Sequence, residues 1–116
     1  MPRTPNVSKE LNGVAPVFGA LGDRTRLGIV SRLSARGPLT TANLTSASTL
    51  SRQAVSKHLQ TLADAGIVRS RRDGRDRVWA LRTEGFVEAR NLLAEISGQW
   101  DEALKRLKYL VEETKN

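Results

Sequence analysis

The stretch TTANLTSASTLSRQAVSKHLQTLADAGI, residues 40–67, decides the fold that we expect for this chain. It predicts a short helix over about 41–47 and a longer helix over about 52–65, joined by a turn of small residues. Thr40 is a suitable N-cap for the first helix and a candidate DNA contact, and Leu44 is the residue that this helix offers to the core. Two helices joined in this way indicate a helix-turn-helix.

The second helix of this pair has an apolar back and a hydrogen-bonding front. Its back is formed by Val55, Leu59 and Leu62, which recur at helical spacing. The polar residues at its start and on the rim or far side of that stripe are Ser51, Arg52, Gln53, Ser56 and Lys57. Arg and Lys match guanine, Gln matches adenine and Ser matches either, so this front suits a recognition helix in the major groove. An ordinary amphipathic surface helix is the alternative, but its neighbours in the chain favour DNA binding.

The overall charge agrees with a polyanionic partner. The 116 residues carry a formal net charge of +7, and the sequence pI is about 10.8. Such a balance attracts nucleic acid or an anionic membrane surface. A positively charged protein without such a partner is the alternative, because composition alone does not separate the two.

Several classes of protein are not expected. The chain has no cysteine, which excludes disulfides, thiolate nucleophiles and cysteine metal sites. It has one histidine, no glycine-rich phosphate loop and no paired carboxylates expected in a cleft, so we expect neither an enzyme nor a cofactor. No apolar run has the length of a membrane span and no signal-peptide pattern is present, so we predict a cytoplasmic protein without membrane contact.

The beginning of the chain divides into a tail and a short apolar helix. Residues 1–13 contain several turn-forming residues and predict a flexible N-terminal tail before a domain at 14–116. Residues 14–21 predict a helix with little polar surface, which either packs under the domain or meets a second subunit. Its apolar residues at helical spacing are Val14, Val17, Phe18 and Leu21.

The next segment predicts a helix over about 24–33, capped by Asp23. Three apolar residues recur every three positions and are expected to face the core, with Ile29 at the edge of their stripe; they are Leu27, Val30 and Leu33. The arginines of this helix are expected to project outward.

The stretch VRSRRDGRDRVWAL, residues 68–81, predicts a β-hairpin with Asp73 and Gly74 at its turn. Leu39 adds a short edge strand. A hairpin after a helix-turn-helix makes a winged helix, and an arginine-rich wing suits the minor groove and its flanking phosphates. The alternative is a surface hairpin charged to block edge pairing. We favour DNA contact for Arg71, Arg72, Arg75 and Arg77, and expect Asp76 to orient an arginine.

The last part of the chain, 83–114, predicts a helix, with 84–114 contributing to dimerisation. Its apolar stripe consists of Leu93, Ile96, Trp100, Leu104, Leu107 and Val111. Near-heptad spacing is typical of helix-on-helix packing, and the stripe exceeds what a small domain covers by itself. We therefore predict a dimer interface, with a core helix folded over its own domain as the alternative, mainly over 86–96. Gly98 is a candidate for a break or kink.

Three stretches occur in an order and spacing that are typical of one family. They are ALGDRTRLGIVSRL at 20–33, SRQAVSKHLQTLADAGIV at 51–68 and RRDGRDRVWAL at 71–81. Together they resemble the ArsR family of bacterial winged helix repressors, over about 14–113. The resemblance implies a homodimer that represses transcription, with helices at both chain ends forming the interface. By this match the DNA-facing helix carries Ser51, Arg52, Gln53, Ser56, Lys57 and His58.

Many members of that family are metal sensors, but the resemblance does not extend to their metal sites. This chain has no cysteine, and its C-terminal helix has carboxylates without a histidine. His58 alone cannot build a transition-metal site, which normally needs three or four ligands, so we expect no metal. We interpret His58 as a phosphate contact or a helix-packing hydrogen bond, with a pH-sensitive contact as the alternative.

The sequence thus predicts a mainly α-helical winged helix-turn-helix with a small β-hairpin wing and terminal dimerisation helices. We expect a sequence-specific regulator of transcription that binds double-stranded DNA, acting as a homodimeric repressor on an inverted-repeat operator. One alternative is a ligand-switched sensor with a small molecule at the dimer interface near Phe18, Trp100 and Leu104. Another is a winged helix used only for protein interaction.

Overall fold

The computed structural model describes the backbone of residues 4–114 and the side chains of residues 11–113. The elements in chain order are α1 (Thr4–Leu21), α2 (Arg24–Arg36), β1 (Leu39–Thr40), α3 (Thr41–Ser46), α4 (Arg52–Asp64), β2 (Val68–Asp73), β3 (Asp76–Leu81) and α5 (Thr83–Thr114). The mainly helical winged helix-turn-helix that the sequence predicts is confirmed. None of the helices in the described range is long and apolar enough to cross a membrane.

Helix α1 is longer than the sequence suggests. It begins at Thr4, so residues 4–13 are helical where a flexible tail is expected, while residues 1–3 lie outside the described range. Val14, Val17 and Ala20 from its second half are buried within this same chain. The short apolar helix therefore packs onto its own domain, which is one of the two arrangements that its sequence allows.

Helix α2 begins where expected, but it is rotated relative to the expected core stripe. The Asp23 carboxylate accepts a hydrogen bond from the Arg26 N–H at 3.0 Å and caps the helix. Leu27 is 50% exposed, so its prediction as a core residue is wrong, and Ile29 is buried instead. At 3.6 residues per turn, six residues leave Leu27 about 120° away from Leu33, whereas Ile29 lies one turn before it.

The helix-turn-helix is capped at both starts. Thr40 Oγ1 accepts a hydrogen bond from the Asn43 N–H at 3.0 Å, and Ser51 Oγ accepts one from the Ala54 N–H at 3.2 Å. Each cap satisfies a backbone donor that the first turn of a helix leaves free. The apolar back of α4 is fully buried and forms the centre of the core, through Val55, Leu59 and Leu62.

The three strands form one antiparallel sheet in the order β1-β3-β2. Asp73 lies opposite Asp76, so the two residues that connect the strands are Gly74 and Arg75, one position later than expected. Gly74 has φ of 63°, which a glycine adopts at low cost in a tight hairpin. On β3 the buried Trp79 Nε1 donates a hydrogen bond to Thr41 Oγ1 at 2.9 Å, which ties the sheet to α3.

Helix α5 runs through Gly98 without interruption over 32 residues. Its start is pressed against the loop after α4, because a Cβ on Gly85 would lie 2.9 Å from the Gly66 carbonyl oxygen. Ala89 is buried, and α5 contacts α1. From Leu93 onward the large apolar residues of α5 are exposed, so the second half of the helix extends away from its own domain.

Candidate nucleic-acid interface

The front of α4 is open to solvent. Its buried stripe turns the opposite side of the helix outward, and every residue of the predicted reading face is exposed: Ser51, Arg52, Gln53, Ser56 and Lys57. Ser51 also caps the helix, so its hydroxyl is already an acceptor for a backbone N–H. Thr40 is half-buried, and its hydroxyl exchanges hydrogen bonds with Asn43, so its main role in the structure is to cap α3.

The wing arginines divide between the two faces of the hairpin. Arg72 lies directly opposite Arg77, and Ser70 opposite Trp79. Residues that face each other across an antiparallel pair share a face. Arg77 Nη1 donates a hydrogen bond to Ser70 Oγ at 2.9 Å, in agreement with this register. Arg71 lies opposite Val78 and therefore on the other face.

A recess of about 440 Å³ separates the wing from the recognition helix. Its arginines and hydroxyls are Thr41 from α3, Arg52 and Ser56 from α4, and Ser70, Arg72, Arg75 and Arg77 from the wing. The carboxylate of Asp76 also lines it. Four guanidinium groups against one carboxylate make this recess strongly positive. Arg72 and Arg77 lie directly opposite each other, and such a pair of like charges is destabilising without an anion. The recess is therefore suited to bind phosphate oxygens.

Asp76 connects the elements around this recess through its hydrogen bonds. Its Oδ1 accepts a hydrogen bond from Arg52 Nη2 at 3.0 Å, as expected for a residue that orients an arginine, and its Oδ2 accepts one from the Ala42 N–H at 3.1 Å. The pKa of Asp76 lies below its ordinary value of 3.8, chiefly because the Arg77 N–H donates a hydrogen bond to the carboxylate. Hydrogen bonds from Ala42 and Thr41 and the charge of Arg52 lower this pKa further, whereas desolvation raises it. The carboxylate is therefore ionised at neutral pH.

His58 lies at the contact between α4 and α2. Arg26 Nη1 lies 3.2 Å from His58 Nδ1, and Arg26 Nε donates a hydrogen bond to the Ala20 carbonyl at 2.7 Å. Because a guanidinium only donates, His58 Nδ1 is the acceptor in this contact. This geometry favours the helix-packing interpretation of His58, and it shows that the outward orientation expected for Arg26 is wrong.

Sequence reasoning missed several residues that line the recess, namely Thr41, Gln60, Ser70 and Trp79. Gln60 lines the recess and donates a hydrogen bond from Nε2 to Asp64 Oδ1 at 2.9 Å. The signal was available, because Gln60 is four residues after Ser56 and so lies on the same side of α4.

The residues predicted for dimerisation fall into two groups. Val14 and Val17 are 4% and 3% exposed and contact their own domain, so the structure contradicts their assignment to an interface. Phe18 and Leu21 are half-buried against the same core. The α5 stripe is open, with 39% to 64% exposure at Leu93, Ile96, Trp100, Leu104, Leu107 and Val111.

Metal-binding side chains do not cluster in the described part of the chain. Over that range, no group of three or more His, Asp or Glu residues is placed to hold an ion. The alternative of a ligand-switched sensor also stays a prediction. Its small-molecule site would lie at the dimer interface, and in a single chain Trp100 and Leu104 are exposed.

Comparisons with known proteins agree with this arrangement. A family model described as a helix-turn-helix domain matches residues 21–71. The uncharacterized HTH-type transcriptional regulator YuzN of Bacillus subtilis is 43% identical over 74 residues, covering 59% of this chain and 80% of that protein.

Two solved structures extend the similarity to the flanking helices. An ArsR-like transcriptional regulator from Rhodococcus sp. RHA1 matches with a TM-score of 0.71 and 31% identity, covering 85% of this chain and 92% of the other. The homodimeric winged helix-turn-helix DNA-binding domain Mb0332 of Mycobacterium bovis, a possible ArsR-family regulator, matches with a TM-score of 0.63 and 28% identity, covering 88% and 91%.

Proposed function

Since the chain belongs to the ArsR family of winged helix-turn-helix transcriptional regulators, we propose that it binds double-stranded DNA sequence-specifically as a homodimer and represses transcription. The observation that carries this proposal is the positive recess between α4 and the wing. A duplex with α4 in its major groove and the wing over the adjacent minor groove has one phosphate strand between them. The arginines of the recess are placed to bind that strand.

The exposed front of α4 supplies the sequence preference in this proposal. Arg52 and Gln53 lie in the first turn of the helix, where recognition helices contact base edges. Arginine is suited to guanine and glutamine to adenine. Ser56 and Lys57 follow on the same exposed side and are proposed to contact bases or phosphates.

A second copy of the chain is the proposed partner of α5. The exposed stripe repeats at three and four residues over five turns, which is the pattern of two helices packed along their length. The solved Mycobacterium bovis domain is homodimeric. Because Val14 and Val17 already pack inside one subunit, we assign the interface to the α5 stripe, with Phe18 and Leu21 at its margin.

Twofold symmetry then determines the form of the operator. A symmetric dimer presents two α4 helices to half-sites about 34 to 36 Å apart, so the operator is an inverted repeat. Occupying a promoter in this way excludes RNA polymerase, and the site of action is the cytoplasm, where a bacterial chromosome lies. We propose no metal, cofactor or enzymatic activity for this function.

A binding-site selection with the full chain tests this function. Random duplexes are bound, recovered and sequenced at about physiological salt. We expect an inverted repeat with half-site centres one helical turn apart. Recovered duplexes without any shared motif would contradict sequence-specific binding, and a single unrepeated half-site would contradict the dimer.

A further inference from the structure

Asp76, the first residue of β3, connects the wing to both helices of the helix-turn-helix. It accepts hydrogen bonds from Arg52 Nη2 on α4 at 3.0 Å and from the Ala42 N–H on α3 at 3.1 Å. The Arg77 N–H of its own strand donates a third at 2.7 Å. These groups come from three separate elements, so one carboxylate fixes the position of the wing relative to α4.

The contact with Asp76 fixes Arg52 but does not bury it. It is the first residue of α4, and its side chain remains 56% exposed. A guanidinium has five N–H donors in a rigid plane, and the contact with Asp76 is made through Nη2. Among the described residues the other donors have no hydrogen-bond partner, so they can meet a base. An arginine that is already fixed also loses less side-chain entropy when it binds.

We propose that Asp76 is a positioning residue that determines sequence specificity by presenting the Arg52 guanidinium to one base pair in one orientation. The inference rests on the proposed DNA binding. A carboxylate near the duplex repels phosphates, so Asp76 does not increase general affinity for DNA. Its benefit is discrimination: a freely rotating arginine reaches several bases and phosphates, whereas a fixed one pairs with guanine O6 and N7 in one geometry.

The hairpin contains a matched control for this role. Asp73 lies directly opposite Asp76 across the turn, carries the same charge and is exposed. Within the described residues the carboxylate of Asp73 accepts no hydrogen bond from α3 or α4. Replacing either aspartate by asparagine removes one negative charge from the same end of the wing, but only Asp76→Asn weakens the hold on Arg52.

The experiment compares these two variants on two duplexes of equal length, the site selected by the wild-type chain and a shuffled version of it. Asp73→Asn is expected to tighten binding to both by the same factor and leave their affinity ratio unchanged. Asp76→Asn is expected to reduce that ratio by about fivefold or more, the low end of what a bidentate base contact contributes to discrimination. In a repeated selection, Asp76→Asn loses preference at the same base positions as Arg52→Ala.

A combined variant shows whether the effect passes through Arg52. In an Arg52→Ala background, Asp76→Asn is expected to leave the ratio unchanged, because the group that it positions is gone. A ratio that falls again in this background would overturn the proposed route, and equal ratios for Asp76→Asn and Asp73→Asn would overturn the positioning role. Circular dichroism checks folding. If Asp76→Asn does not fold, Asp76→Ser, which also removes the carboxylate, is measured instead, and an unchanged preference at the Arg52 positions overturns the proposal.

These outcomes separate the inference from the function on which it rests. A wild-type chain that binds its selected site with preference, together with equal ratios for the two aspartate variants, contradicts only the role of Asp76. A wild-type chain that binds no duplex contradicts the proposed function itself.

Discussion

The recess beside α4 and the second half of α5 are both incomplete surfaces, for opposite reasons. In the recess, four arginines converge with one carboxylate between them, so charge is left unbalanced. Along α5, six large apolar residues are 39% to 64% exposed, so apolar area is left uncovered. Unbalanced positive charge calls for an anion, and an apolar stripe with a helical repeat calls for another helix.

The two surfaces also differ in what holds their side chains in place. Arg52 and Arg77 are fixed by Asp76 and Ser70 before any partner arrives. The α5 stripe extends beyond its own domain, with no comparable support from the core for Leu104 or Leu107. We therefore expect the recess to keep its geometry in a monomer, and the second half of α5 to depend on dimerisation.

The largest effect is expected from breaking the α5 surface. Leu104→Glu places a charge on the stripe and should produce a folded monomer, because Leu104 is 56% exposed in one chain. A monomer presents one α4 helix instead of two linked α4 helices, so its binding to the inverted repeat should be weaker by about 100-fold or more. Sedimentation velocity and gel shifts measure the two effects.

Tyr109→Glu is the matched control for that variant. Tyr109 is 67% exposed and lies about 140° around α5 from Leu104, away from the stripe. It should stay dimeric and bind normally. A dimeric Leu104→Glu variant, or equal losses for both, would remove the stripe from the proposed interface.

The next effect concerns the two faces of the wing. Arg72→Ala removes a charge from the recess and should weaken binding to every sequence on the order of tenfold, with the salt slope reduced by about one. Arg71→Ala removes the same charge from the opposite face and should do less. Titrations at several salt concentrations give both quantities, and equal slopes for the two variants would show that the recess has no special role.

A smaller effect is expected at the reading face of α4. Gln53→Ala should reduce discrimination at one base pair per half-site by about fivefold, with the salt slope unchanged, because glutamine contacts a base rather than a phosphate. Gln99→Ala, an exposed glutamine on α5, is the control. A changed salt slope for Gln53→Ala would indicate a phosphate contact.

The smallest effect is expected in the acid range of stability. The Arg26 N–H hydrogen bond, with the nearby charges of Arg26 and His58, lowers the pKa of Asp23 below its ordinary value of 3.8, against desolvation. Because the folded-state pKa is the lower one, this stabilisation is present above the unfolded-state pKa and is lost as the pH falls through the folded-state pKa. The free energy of unfolding of Asp23→Asn should therefore fall less than that of the wild type as the pH is lowered from about 5 into the acid range.

Thermal unfolding across that range tests the last prediction, with Asp101→Asn on exposed α5 as the control. The control should follow the wild-type curve. An Asp23→Asn curve that also runs parallel to wild type would contradict the capping role of the carboxylate.

Local patterns in the sequence were sufficient for most of the fold. The stripe of Val55, Leu59 and Leu62 determined the orientation of α4, and the Asp-Gly pair located the hairpin to within one residue. The caps at Thr40 and Asp23 were also predictable, because a cap is made by neighbours three residues apart.

The misses come from contacts that no local pattern contains. The Ala42–Asp76 and Arg26–His58 contacts join residues 34 and 32 positions apart, so only the tertiary structure brings them together. In α2 the repeat of three residues predicts a core stripe that includes Leu27. Three residues fall about 60° short of a full turn, so Leu27 lies away from the core. For Val14 and Val17, the pattern showed that they are covered, but not whether their own domain or a partner covers them.

The mass of the complex on the selected inverted repeat, measured by sedimentation equilibrium, decides whether the two surfaces work together. We expect two chains per duplex, with binding weakened more than tenfold when one half-site is scrambled. One chain per duplex at saturation, with equal affinity for the intact and half-scrambled sites, would contradict the pairing of a charged recess with an apolar dimer helix.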